Sequence, residues 1–302
     1  MITAWPTAHY FKILFMQKST KQILFILYII WIACLSGRAQ SYKSFNVAVE
    51  GRGPSILLIP GYSCSGEVWK ETVALLKNNY QCHVLTLAGY AGVPAIDTPI
   101  LKTVHDEIIR YTIEKKLAHP ILIGHSLGAF MSLWVSSSSP ELFGKIICVD
   151  GLPFISAMTD TSITADKIRA DPRYNAVALA ASFMSVPDAG YTENMTKSML
   201  YQVSDTAHAR LIAGWSYHCD RKTLGYTLAE ISSTDLRDSI AKIEQPVLVL
   251  GSLYGNKETS YHVLGQQYRQ LPNKTLHVAD SKHFIMYDQP QWFYKEISTF
   301  LQ

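Results

Sequence analysis

Gly124-His125-Ser126-Leu127-Gly128 lies between an apolar, strand-like run at residues 120–123 and a helix-like run at 129–135. A serine on such a strand-to-helix turn is held in a strained backbone, so the residues two before and two after it must be small, as Gly124 and Gly128 are. The turn exposes the Ser126 hydroxyl at the carboxyl edge of a sheet. It also aims the Leu127 backbone N–H at the oxygen of an attacked carbonyl, so a nucleophile and one oxyanion donor arrive together. Alone, the pentapeptide fits a structural turn; in this setting it reads as a nucleophile.

A hydroxyl attacks only when a base takes its proton, and the base needs a third group to fix its tautomer. Of ten histidines, His9 sits in the amino-terminal segment, His125 is turned away from its neighbour Ser126, and most others fall within strand-like or helix-like runs. His283 differs: it follows the polar stretch Asp280-Ser281-Lys282, on a loop after the last strand-like run, from which it can swing over Ser126. The chemistry implied is acyl transfer to water on a small ester or related carbonyl substrate. It requires no cofactor, because nucleophile, base and oxyanion donors all come from the chain. No Cys-x-x-Cys or His-rich spacing predicts a metal site.

The elements that must hold these groups follow from the hydrophobic pattern. Strand-like runs at 45–49, 56–59, 83–87, 120–123, 145–149, 246–250 and 275–278 alternate with helix-like runs at 68–76, 104–116, 129–135, 261–270 and 291–301. Alternation of this kind predicts an α/β fold, a mostly parallel sheet with helices on both faces. Residues 152–239 hold no comparable strand but four short helix-like runs, at 176–184, 194–202, 207–215 and 223–231. They read as a helical lid inserted at the carboxyl edge of the sheet, where ligands of such sheets bind. Met158, Met184, Met195, Met199, Phe154, Phe183 and Trp215 in that insertion suit either an adaptable apolar pocket or a simple core.

At the amino terminus, Lys18 and Lys21 precede an unbroken apolar run at 23–35, followed by Ser36-Gly37-Arg38-Ala39-Gln40. That is the order of a secretory signal peptide spanning residues 1–39, with cleavage before Gln40, a start at either Met1 or Met16, and a periplasmic or secreted product in residues 40–302. Cys34 offers a competing lipoprotein reading. The segment carries Lys12, Lys18, Lys21 and Arg38 and no acid, so its removal takes the formal charge from +3 to −1. A mature chain of that charge has no electrostatic case for nucleic acid. Cys82 and Cys148 read as small core residues. Cys64 and Cys219 read as neighbours at the mouth of the site, able to staple insertion to core if oxidised.

The joint pattern resembles the α/β-hydrolase fold family from about residue 44 to the end. The matching pieces are Leu57-Leu58-Ile59-Pro60-Gly61-Tyr62, Gly89-Tyr90-Ala91-Gly92, the stretch from Gly124 to Gly128, and His283-Phe284 followed by Gln289-Pro290. The resemblance implies a serine hydrolase with a helical lid and a Ser-His-acid triad. It makes the backbone N–H of Tyr62 the second oxyanion donor, although Pro60 stands where the family usually has histidine. The family's usual acid position, after the strand at 246–250, is occupied by Tyr254. Its second position, at the end of the strand after the nucleophile helix, holds Asp150, the expected acid; Glu258, Asp235 and Asp280 are the competitors. Because Ser126 is no carboxylate, haloalkane dehalogenation is disfavoured. Carbon–carbon bond hydrolysis by the same triad, or a non-catalytic small-ligand binder on this fold, are the other readings. The presence of His283 speaks against the binder.

Overall fold

Short runs rich in leucine, isoleucine and valine form seven strands in a computed structural model that describes residues 42–302: β1 (Phe45–Gly51), β2 (Ser55–Ile59), β3 (Gln81–Leu87), β4 (Ile121–His125), β5 (Ile146–Val149), β6 (Val247–Gly251) and β7 (Lys274–Val278). The expected signal peptide, the alternative start and the Cys34 lipid site lie outside the described residues. The strands are ordered β1-β3-β2-β4-β5-β6-β7 in one sheet, β1 antiparallel to β3 and every other pair parallel. β4, β5 and β6 are wholly buried or nearly so, as strands covered on both faces must be.

The covering helices are α1 (Lys70–Leu76), α2 (Ile100–Glu114), α3 (Leu127–Ser138), α9 (Lys257–Gln267), α10 (Ile285–Asp288) and α11 (Pro290–Leu301). Two large apolar clusters sandwich the sheet. One, on the side of α2 and α3, includes Phe130, Leu133 and Tyr268; the other, on the side of α1 and α11, includes Trp69, Phe284 and Phe293.

Between β5 and β6 the chain makes five helices: α4 (Ala165–Ala170), α5 (Ala176–Met184), α6 (Tyr191–Met199), α7 (Thr206–Tyr217) and α8 (Arg221–Ser233). Four were expected from the pattern. The fifth, α4, has six residues and one buried position, too little periodicity to read from sequence. Among the described residues no helix is long and apolar enough to cross a membrane.

Candidate active site

β4 ends at His125, and the chain turns at Ser126 with φ 54° and ψ −115°, a conformation that a non-glycine residue holds only when its surroundings over-determine it. Here the Ser126 amide donates to the Val149 carbonyl of β5 at 2.8 Å. A Cβ on Gly124 would strike the Gly128 carbonyl, and one on Gly128 would strike the Ile59 carbonyl of β2, so both must lack side chains. Leu127 opens α3, where amides have no intrahelical acceptor.

One strand along, β5 ends and Asp150 also takes a positive φ, 44°, with its amide donating to Leu250 of β6 at 2.7 Å. Its carboxylate, 2% exposed, accepts four hydrogen bonds. His283 Nδ1 lies 2.6 Å from Oδ2 and the Ser252 hydroxyl 2.8 Å from it, while the Ser252 amide (2.8 Å) and the Tyr254 phenol (2.9 Å) donate to Oδ1. Burial alone would raise the carboxyl's pKa. The hydrogen bond and charge of His283, with the Ser252 donors, outweigh burial and hold it below the usual carboxylate range. An ionised Asp150 only accepts, so Nδ1 of His283 donates to it.

His283 sits on the loop after β7, as expected. Ser126, Asp150 and His283 thus follow β4, β5 and β7, with β6 between the last two, and all three line one cavity of about 690 Å³ with Tyr62 and Leu127. The Tyr62 phenol is engaged elsewhere, donating to the Leu224 carbonyl at 2.8 Å. Glu258 is exposed on the first turn of α9, Asp280 is exposed, and Asp235 is paired with Arg237 at 2.6 Å. None of the three is hydrogen-bonded or ion-paired to His283, whose carboxylate partner is Asp150. Among the described residues no three His, Cys, Asp or Glu side chains converge as metal ligands.

Sequence reasoning missed the groups that hold the pair in place. Ser252 and Tyr254 lie on the loop after β6, the usual place of the family's acid, and there they supply donors to the Asp150 carboxylate instead. His125 packs its ring 4.6 Å from those of both His283 and Phe284, and its Nε2–H donates to the His283 carbonyl at 3.1 Å. The His283 loop is also tied to the insertion. The Asp288 carboxylate accepts from the Ser204 amide and hydroxyl and from the Lys282 amide, the Phe284 amide donates to the Gln202 carbonyl at 3.1 Å, and Lys282 Nζ donates to Leu200.

The cysteines depart from expectation in one respect. Cys82 and Cys148 are fully buried in β3 and β5, as read. Cys64 and Cys219 do approach one another, Cys219 Sγ lying 3.6 Å from the Ser63 carbonyl, but both are buried free thiols and not a staple at the cavity mouth. Burial pushes the Cys219 thiol up to about 11, which keeps it protonated and unreactive toward oxidation.

Burial lowers the pKa of His125 to about 3, with repulsion from His283 adding to it, and burial also lowers those of His83 and His105. Burial therefore disfavours the charged form of all three in the folded chain, whereas unfolded they protonate below about pH 6.5. The unfolded state then binds more protons, so stability falls as pH drops, by up to about 1.4 kcal/mol per pH unit for each such group. For His125 this slope persists down to about pH 3. Urea unfolding at pH 7.5 and 5.5 should show a lower midpoint at 5.5 and a smaller drop in His125→Gln. A variant losing as much stability as the parent would mean that His125 does not contribute.

Residues 56–296 match the model of the alpha/beta hydrolase family, and the chain belongs to that family. It is a hydrolase. It is 24% identical over 280 residues to a pimeloyl-[acyl-carrier protein] methyl ester esterase of Aeromonas hydrophila, covering 85% of this chain and 99% of the relative. It is 23% identical to the esterase of that name from Vibrio cholerae, covering 84% and 94%. Among solved structures it resembles an enol-lactonase from Burkholderia xenovorans LB400 (TM-score 0.68, 15% identity, 85% and 96% covered). A thermophilic esterase from Thermogutta terrifontis is similar at TM-score 0.68 and 16% identity, with 85% and 92% covered. These structural likenesses establish the shared fold.

Proposed function

We propose that the chain hydrolyses carboxylic esters by acyl transfer through Ser126, with His283 as base and Asp150 as the acid that orients it. The observation that carries this reading is the 2.6 Å Asp150–His283 pair opening on the cavity that Ser126 also lines. With its Nδ1 proton held by Asp150, His283 presents the Nε2 lone pair to take the Ser126 proton as Oγ attacks the carbonyl. The oxyanion that forms is held by the backbone amides of Tyr62 and Leu127. The imidazolium returns its proton to the departing alcohol, and water repeats the sequence on the acyl-enzyme.

The curated relatives are named as methyl ester esterases, which supports an ester over a carbon–carbon bond as the target. A fluorophosphonate probe should label the native chain stoichiometrically, with the adduct located on Ser126 by peptide mass spectrometry. Labelling elsewhere, or none, overturns the reading.

A further inference from the structure

The cavity has an uneven chemistry. On the Ser126 side it is polar; on the side built by the insertion its wall is Met158, Phe183, Met195, Met199, Leu228 and Ile231. Of the lining groups that could carry charge, Asp150 is ionised and fully engaged, His283 is paired with it, and His125 is neutral. Burial raises the phenols of Tyr62 and Tyr254, which disfavours their charged form, and the Tyr191 hydroxyl shares a hydrogen bond with Ser216 at 2.8 Å. No lysine or arginine lines the cavity among the described residues. Lys282 is turned to the Leu200 carbonyl, and Arg221 lies on the Tyr191 ring, 3.7 Å from its centroid, paired with Asp188.

We infer that this cavity selects an ester whose chain is long, apolar and uncharged, and that it rejects esters carrying a free carboxylate on that chain. The inference rests on the esterase reading above. An apolar chain gains by leaving water for the methionine and leucine wall, and unbranched methionine side chains adapt to chains of differing length. A carboxylate entering the same wall would find no lysine or arginine lining it, would lose its hydration, and would share the cavity with the Asp150 charge. Rejection therefore comes from an uncompensated charge, which discriminates more strongly than a missing contact.

Two series of neutral esters separate the acyl from the alcohol side: p-nitrophenyl esters from acetyl through butyryl and hexanoyl to octanoyl, and acetate esters of the matching alcohols. In one series kcat/KM should rise at least about tenfold from the shortest to the longest chain, given up to about fourfold per buried methylene. The half-ester of octanedioic acid should fall about 100-fold or more below the octanoyl ester. Flat profiles in both series, a carboxylated ester accepted as well as its neutral counterpart, or preference for a choline ester over the neutral butyl ester would overturn the inference. Calorimetric binding of the neutral and carboxylated esters to Ser126→Ala reads the same preference without turnover. A native chain that fails to hydrolyse any ester while this binding preference persists would refute the esterase reading and leave the cavity's selectivity standing. Loss of the binding preference with hydrolysis intact would do the reverse.

Discussion

Ser126→Ala should lower kcat on any accepted ester by about 10⁵- to 10⁶-fold, with far-ultraviolet circular dichroism and the urea midpoint nearly unchanged. Alanine keeps the backbone and the Cβ that already fit the turn, so only Oγ is lost. His283→Ala should cost a similar factor, and the double variant little more than either alone, because groups that act as one unit are not additive. The residual rate should still exceed that in water, since the Tyr62 and Leu127 amides remain. Single-turnover and steady-state rates on purified variants measure this. Hydrolysis within tenfold of the parent in either single variant would remove that residue from the mechanism.

Asp150→Asn should lower kcat by about 10³- to 10⁴-fold while the chain still folds. The carboxylate takes protons from the Ser252 amide and hydroxyl, the Tyr254 phenol and His283 Nδ1. A carboxamide offers a single acceptor oxygen to those four donors. If that oxygen faces Ser252 and Tyr254, the NH₂ group faces His283 and forces its proton onto Nε2, the nitrogen that must be bare to receive the Ser126 proton. Glu258→Gln, on the exposed start of α9, should change kcat less than about twofold. A large loss at Glu258 with a small one at Asp150 would return Asp150 to the role of a turn residue between β5 and the insertion.

The sheet was readable because each strand carries its own signal, a short apolar run bounded by polar or turn-forming residues, and no distant group is needed to interpret it. Helix boundaries were less readable where their caps come from far away. α2 begins at Ile100, four residues before the periodic pattern, because the Glu230 carboxylate of α8 accepts the Ile100 and Leu101 amides at 2.8 and 2.6 Å. That cap is 130 residues away in the chain. α8 likewise starts early, on Asp220, which accepts from the Thr223 amide; this cap is local and could have been read. In the site, Ser126 and His283 were legible from their neighbours alone, Asp150 only through family resemblance. Ser252, Tyr254 and His125 carry no local mark, since each acquires its partner when separate strands come to lie side by side. Of the insertion's expected pocket residues, Met158, Phe183, Met195 and Met199 line the cavity, whereas Phe154 and Trp215 are buried in core clusters and Met184 is exposed. A repeat of bulky apolar residues does not say which face of a short helix will meet solvent, core or ligand.

The ties from Leu200, Gln202 and Ser204 to the loop bearing His283 join two tasks that many enzymes keep on separate pieces of chain. Met195 and Met199, which shape the substrate wall, stand on the helix that runs directly into those ties. On the proposed mechanism, a substitution that reshapes the wall should therefore also pull on the base. With His283 as the proposed base, substrate range and turnover would be inherited together, and a change in α6 that admits a bulkier ester should also alter the pH profile of kcat.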